Sequence, residues 1–105
     1  MAEYDRVKAG KLLADVPDEY VFRCRDDGIF RNMRDLRDGL ATINDDTFLF
    51  HANAGKNDFG NWVSDVINDQ ELARDLVKVS SRLEAARTVA SRVSTLSGKL
   101  ESRRS

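Results

Sequence analysis

The most regular alternation of hydrophobic and polar positions lies in the last third of the chain. Asp69 to Glu101 contains no proline, and its one glycine is Gly98. Apolar residues recur there in steps of four and three, the heptad spacing of a helix that packs against another helix. We call this set the heptad stripe; it consists of Leu72, Leu76, Val79, Leu83, Ala86, Ala90, Val93 and Leu100. The pattern predicts one long amphipathic helix.

The length of this predicted helix bears on where it packs. About 33 helical residues measure about 50 Å, whereas a domain of this size is expected to be about 30 Å across. We therefore predict that part of the helix faces a partner. The C-terminal half suits this role, because Ala86 and Ala90 allow close approach while Val89 and Leu96 widen the apolar face. The alternative is internal packing against residues 4–14.

Two short strands are predicted before the helices. Residues 20–25 alternate, with Tyr20, Phe22 and Cys24 on one face, which is typical of a half-buried strand. The Asp-Gly dipeptide that follows is typical of a two-residue hairpin turn with positive φ at both positions. Residues 29–31 would then form the return strand.

Asparagine and aspartate residues predict where the helices begin. Their side chains accept hydrogen bonds from backbone N–H groups in the first helical turn. Three short helices are expected after the hairpin, starting at Asn32, Asn44 and Asn57, and Asp69 would cap the long helix. Asp35 stands three residues after Asn32, at the capping-box position.

Together these elements predict a mostly α (α+β) fold with a small N-terminal β-hairpin, three short helices and one long C-terminal amphipathic helix. A chain of 105 residues suffices for one domain. We expect residues 1–105 to form a single domain, with an N-terminal arm at 1–19, a hairpin and short-helix core at 20–71, and the long helix at 72–105.

Charge is unevenly distributed along the chain. The net charge is −1, but residues 1–71 carry 9 Lys/Arg and 15 Asp/Glu, whereas residues 72–105 carry 8 Lys/Arg and 3 Asp/Glu. On the predicted helix the basic residues fall on one side, beside the heptad stripe: Arg74, Lys78, Arg82, Arg92, Lys99 and Arg103. Such a basic stripe can pair with an acidic protein surface or lie along nucleic-acid phosphates. We favour protein contact, because the rest of the chain is acidic and the helix has no aromatic residue.

One cluster of polar residues has chemical potential, and we call it the His51 motif: His51, Lys56, Asn57, Asp58, Phe59 and Trp62. His51 and Asp58 could act as an acid–base pair or bind a metal. One histidine and one nearby acid are too few ligands for a zinc site. We therefore interpret the motif as structural, with Asn57 and Asp58 capping a helix and Trp62 in the core, and we expect no catalytic residue, metal or cofactor.

Cellular location and membrane contact are also constrained. The single cysteine, Cys24, fits a reducing compartment and is predicted to be a buried small apolar residue. The first residues lack the basic-then-apolar pattern of a signal peptide. No apolar run approaches the ~18 residues that a membrane span requires. We expect a cytoplasmic protein without membrane contact.

The stretch from Phe22 to Ala73 resembles an uncharacterised small domain of archaea and some bacteria. The resemblance rests on the Asp-Gly hairpin turn, on Phe48 running on to His51, and on the segment Lys56-Asn57-Asp58-Phe59-x-x-Trp62-Val63-x-Asp65-Val66. The chain departs from the family pattern at Met33, Asp35 and Gly60. The resemblance implies a fold and a microbial setting, and it implies no activity.

The sequence thus favours a non-enzymatic module that forms a homo-oligomer, or binds another protein, through the long helix. The residues expected at the association surface are Leu76, Val79, Leu83, Val89, Val93, Leu96 and Leu100, with Arg74, Lys78, Arg82 and Arg92 beside them. One alternative is a nucleic-acid- or ribosome-binding protein that acts through the basic stripe. Another is a small-ligand or metal binder at His51 and Asp58.

Overall fold

The computed structural model describes the backbone of residues 2–101 and the side chains of residues 5–101. This part of the chain is mostly helical and contains two small antiparallel sheets, so the mostly α (α+β) class is confirmed. The elements are α1 Ala2–Leu13, β1 Phe22–Arg23, β2 Ile29–Phe30, α2 Met33–Thr42, α3 Asp45–His51, β3 Ala52–Asn53, β4 Lys56–Asn57, α4 Asp58–Trp62, α5 Gln70–Leu76 and α6 Arg82–Glu101. A 3-10 turn covers Asp18–Tyr20, and a π-helical turn at Val63–Ile67 continues α4.

The core forms where α6 packs against α1 and α2. From α6 it takes Ala85, Ala86, Val89, Val93 and Leu96. From α1 and α2 it takes Ala9, Leu12, Leu13, Met33, Leu36 and Leu40. These residues belong to one apolar cluster that also includes the aromatic rings of the hairpin and α4. The internal packing against residues 4–14, which was the alternative at the sequence level, is therefore present.

A long C-terminal helix is present as α6, but the prediction that it runs without interruption from residue 72 is wrong. Helix α5 ends at Leu76 and α6 begins at Arg82; we call residues 77–81 between them the connector. The break has a local cause, because the Ser81 hydroxyl accepts a hydrogen bond from the N–H of Glu84 at 3.1 Å. The Glu84 carboxylate in turn accepts one from the N–H of Ser80 at 2.9 Å. These bonds resemble a capping box and start a new helix.

Because α6 is shorter than the predicted helix, its length does not require that part of it packs against a partner. Its 20 residues measure about 30 Å, and the molecule extends over 43 Å along its longest axis. The helix is thus accommodated within its own domain. The end of the predicted helix, residues 102–105, lies outside the described residues.

The first hairpin forms, but its turn differs from the prediction. Phe22 pairs with Phe30 and Arg23 with Ile29, so residues 24–28 connect the strands rather than two residues. Of the Asp-Gly pair only Asp27 has a positive φ, at 73°. The predicted strand is also shorter than residues 20–25, because Tyr20 belongs to the 3-10 turn and is exposed.

The helix caps are those that the sequence predicts, whereas the second hairpin, β3–β4, was not predicted. The side chains that accept hydrogen bonds from backbone N–H groups in the first turns of α2, α3, α4 and α5 are those of Asn32, Asn44, Asn57 and Asp69, respectively. Residues 54 and 55 connect β3 to β4, and the Asn53 side chain accepts a hydrogen bond from the N–H of Gly55 at 2.9 Å to close the turn.

Candidate interaction groove

The structure places most of the predicted apolar association surface inside the chain's own core. The prediction that these residues face a partner is wrong for Leu76, Val89, Val93 and Leu96, which are buried. The reason is that α1 and α2 cover the apolar face of α6. Val79 and Leu100 are partly buried against the same core. Leu83 alone of the predicted set is largely exposed, at 53%.

Two of the predicted basic residues also serve the fold. The Arg92 guanidinium binds both carboxylate oxygens of Asp69, at 2.7 and 3.2 Å. Asp69 is buried and also caps α5. Burial alone would lower the pKa of Arg92, but hydrogen bonds and the charge of Asp69 outweigh it and raise the pKa. This ion pair fastens the start of α5 to α6.

Arg82 joins the start of α6 to α2 and α3. Its guanidinium binds the carboxylate of Asp45 at 2.9 Å and the carbonyl of Leu40 at 3.0 Å. Arg74 and Lys78 remain exposed, while Arg103 lies outside the described residues. The basic stripe expected for nucleic acid is therefore divided by the connector and partly occupied by internal contacts.

The His51 motif links the two hairpins. Nε2 of the buried His51 accepts the backbone N–H of Arg25 at 3.0 Å, so this nitrogen carries no proton. Nδ1 then carries the proton and donates to the carboxylate of Asp58 at 2.9 Å. Because both ring nitrogens are engaged, the histidine is held in one tautomer and one orientation. The geometry is that of a structural histidine between the β1–β2 loop and the start of α4.

Asn57 caps α4 and Trp62 lies in the core as expected, whereas the Asp58 carboxylate pairs with His51 and Lys56 instead of capping the helix. Burial of Asp58 would raise its pKa, but hydrogen bonds from His51 and Lys56 outweigh burial and lower it. Phe59 and Trp62 are buried, and the Trp62 indole N–H donates to the carbonyl of Tyr20 at 2.7 Å. Cys24 is also buried, as predicted, and burial raises the pKa of its thiol.

Two further properties of the described residues bear on other kinds of site. Within residues 2–101, no three histidine, cysteine, aspartate or glutamate side chains are grouped so that they could hold a metal ion. Of the described helices, none combines the length and apolar character needed to cross a membrane.

A concave surface lies between α3 and the connector. This groove has a volume of about 780 Å³. It is lined by Phe48 and Leu49 of α3, by the β3–β4 hairpin with Asn61 of α4, and by Val77, Val79 and Ser80 of the connector. The sequence pattern does not predict the groove, because the groove depends on the connector and on the second hairpin.

Apolar side chains are exposed in the walls of this groove. Val77 is 65% and Leu49 is 53% exposed. Phe50 follows Leu49 and is 45% exposed, with Arg25 and Lys56 over its ring at 4.5 and 4.8 Å. Several exposed apolar side chains at one concave surface are typical of a surface that becomes covered by another molecule.

A sequence pattern that reveals Leu49 and Phe50 exists in α3. Phe48 and His51 stand three residues apart, and both are buried. Residues at that spacing share one helix face, so Leu49 and Phe50 between them must point away from the core. The exposed apolar pair Leu49 and Phe50 on α3 could therefore have been predicted from sequence, but the heptad stripe gave the stronger signal and directed the prediction to the C-terminal helix.

Comparisons with protein-family models, with curated proteins and with solved structures give no significant match to this chain. The resemblance of residues 22–73 to an uncharacterised microbial domain therefore stays a prediction. The function has to be argued from the geometry of the groove and its surroundings.

Proposed function

We propose that this chain is a non-enzymatic interaction module that forms a homo-oligomer, with the groove between α3 and the connector as its association surface. The observation that carries the proposal is the exposure of Leu49 and Val77, which both line that groove. Covering them with another apolar surface removes them from water, which is the main favourable term in protein association.

A second copy of the chain is the occupant that the charges favour. The surroundings of the groove carry both signs, with Asp46 on α3, Lys56 on the β3–β4 hairpin and Lys78 in the connector, all of them exposed. A surface with both signs can be complementary to itself. A nucleic-acid site would instead need a positive surface along the phosphates.

The test is the solution mass of the protein, measured by sedimentation or light scattering over a series of concentrations. We expect the wild type to form a dimer or larger assembly, and Leu49→Asp or Val77→Asp to be monomeric. The matched control is Val7→Asp, because Val7 is 49% exposed on α1 and lies outside the groove. It should leave the mass unchanged.

The stability of the variants completes the design. Leu49 and Val77 are exposed, so their substitution should alter the free energy of unfolding of the isolated chain by no more than about 0.5 kcal/mol. A urea titration of each variant checks that loss of mass is not loss of fold. A wild type that stays monomeric at every concentration would refute the proposal.

A further inference from the structure

The connector between α5 and α6 departs from helical conformation over only a few residues. It contains no glycine or proline, and none of its residues has a positive φ. The N–H of Val77 still bonds to the carbonyl of Ala73, and the backbone angles of Val77 are those of a right-handed helix. The heptad spacing continues through the connector, from Leu76 over Val79 to Leu83. The covalent chain therefore allows α5, the connector and α6 to form one continuous helix.

A few side-chain hydrogen bonds hold the helix in two pieces. The capping bonds of Ser80 and Ser81 with Glu84 start α6. The Asn57 side chain donates to the carbonyl of Leu76 at 3.1 Å, at the end of α5. In a continuous helix this carbonyl would instead accept from the N–H of Ser80. The two forms thus differ locally by a few hydrogen bonds, each of which makes a modest net contribution.

The interrupted helix lets α6 fold back along α5. Asp69 at the start of α5 binds Arg92 in the middle of α6 at 2.7 Å. These residues are 23 positions apart in sequence, so a continuous helix would separate them by about 35 Å. A chain with a continuous helix cannot form this buried ion pair within itself, but it can form the pair with a second copy.

We propose that α1 and α2 also form a binding surface for α6 of a second copy, and that two chains with continuous helices exchange α6 reciprocally. Each half of this dimer repeats the packing of the single chain, with Asp69 of one copy bound to the partner's Arg92. Exchange of an identical element needs no new complementary surface. Leu83, which is 53% exposed in the single chain, would share one helix face with Leu76 and Val79 in the segment that joins the halves. This inference goes beyond the proposed function, because exchange of α6 does not use the groove.

Refolding from urea at high protein concentration allows the exchange, because α6 has to leave its own core first. Ser81→Ala and Ser81→Pro both remove the capping hydroxyl, but alanine favours the continuous helix and proline excludes it. Relative to wild type, we expect the ratio of dimer to monomer to rise about tenfold for Ser81→Ala and to fall at least about tenfold for Ser81→Pro. Size-exclusion chromatography after dilution measures the ratio, because a reversible contact dissociates on dilution whereas exchanged helices separate only by unfolding.

Complementary charges test whether the partner supplies α6. Asp69→Arg places two cations at the ion pair, and Arg92→Asp places two carboxylates there, in a single chain and in a homodimer alike. Only a heterodimer of these variants with exchanged α6 has opposite charges in both halves. We expect co-refolding to give this heterodimer in at least about tenfold excess over either homodimer, counted by native mass spectrometry. The control mixture, Lys56→Asp with Asp58→Lys, reverses a pair that stays in one half and should give no excess.

Co-refolding remains informative if Asp69→Arg and Arg92→Asp do not fold alone, because the mixture should then fold where neither variant does. A mixture that gives no excess of heterodimer overturns the exchange, and so do equal dimer fractions for Ser81→Ala and Ser81→Pro. Adding Leu49→Asp to both chains should leave the heterodimer yield unchanged. Loss of the heterodimer in that background would assign the association to the groove and overturn the exchange, whereas an unchanged yield leaves the groove to be judged by the mass of Leu49→Asp alone.

Discussion

Two regions of this molecule treat apolar residues in opposite ways. Where α6 meets α1 and α2, the apolar face is closed: Val89 and Val93 are buried, and the Asp69–Arg92 ion pair fastens its edge. At the groove, Leu49 and Val77 stay exposed although the walls around them are well formed. The regular apolar spacing on α6 thus belongs to residues that are buried in the core. The exposed apolar residues at the groove, Leu49 and Val77, show no such spacing.

This difference in burial arises because the two regions are covered by different numbers of secondary-structure elements. A helix with a wide apolar stripe is stable when that stripe is covered by other elements. For α6, these elements are α1 and α2. Helix α3 has only seven residues and buries one side of itself. Its outer apolar residues remain exposed for want of a neighbour, so the place to look for a partner is the incompletely covered short helix.

The largest expected effect breaks the closed region. Arg92→Met leaves the buried Asp69 carboxylate without its cation, and we expect the free energy of unfolding to fall by about 3–5 kcal/mol. Urea denaturation measures this. The double variant Asp69→Asn/Arg92→Met should recover part of the loss, because asparagine still caps α5 but carries no charge. Equal losses in the single and double variants would contradict the assignment.

A smaller effect concerns packing of α2 on the hairpin. A Cβ added at Gly39 would overlap the Phe30 ring, so Gly39→Ala should destabilise the fold by about 3 kcal/mol at most. The matched control is Gly98→Ala in α6, where a Cβ meets nothing within 4 Å. That change should stabilise by about 0.5–1 kcal/mol, because alanine loses less entropy in a helix. The two midpoints in a thermal or urea titration must move in opposite directions.

His51 connects the β1–β2 loop to the start of α4, and His51→Phe isolates its hydrogen bonds. Phenylalanine preserves the ring and its contacts but cannot accept from Arg25 N–H or donate to Asp58. We expect a loss of about 1–2 kcal/mol in the free energy of unfolding. An unchanged urea midpoint would show that these bonds contribute nothing net to stability.

The smallest effect is a dependence on pH from Asp58. Its pKa is lowered below the ordinary value of 3.8 in the folded chain. A lowered carboxyl pKa contributes stability above the unfolded value, and this contribution is lost as pH falls through the folded value. Asp58→Asn should therefore be less stable than wild type near neutral pH, by less than about 1 kcal/mol. In urea titrations, the difference in the free energy of unfolding between wild type and Asp58→Asn should become smaller below about pH 4. A difference that does not change with pH would show that the charge of Asp58 does not cause it.

Local chemistry explains what could be predicted from sequence. The caps at Asn32, Asn44, Asn57 and Asp69 were found because each depends on one side chain and the next turn of backbone. The buried positions of Phe59 and Trp62 follow from helical spacing in the same way. Such features need no knowledge of the remainder of the fold.

The groove could not be predicted because it joins segments far apart in sequence. Leu49 and Val77 line one groove only because the β3–β4 hairpin and the connector place α3 and the end of α5 beside it. The interruption itself had a sequence sign, the Ser81-x-x-Glu84 pattern, which the heptad spacing across it concealed. A continuous heptad spacing indicates that the apolar residues lie on one face, but it does not show that they belong to a single uninterrupted helix.

Trp62 gives this protein a built-in spectroscopic reporter. It is the single tryptophan of the chain, it is buried, and its indole N–H bonds to the carbonyl of Tyr20, more than forty positions away in sequence. Its fluorescence should therefore shift to longer wavelength when the hairpin detaches from α4. Because the indole is buried away from solvent, dissociation of an oligomer at the groove should leave the emission maximum in place, so one optical measurement distinguishes unfolding from disassembly.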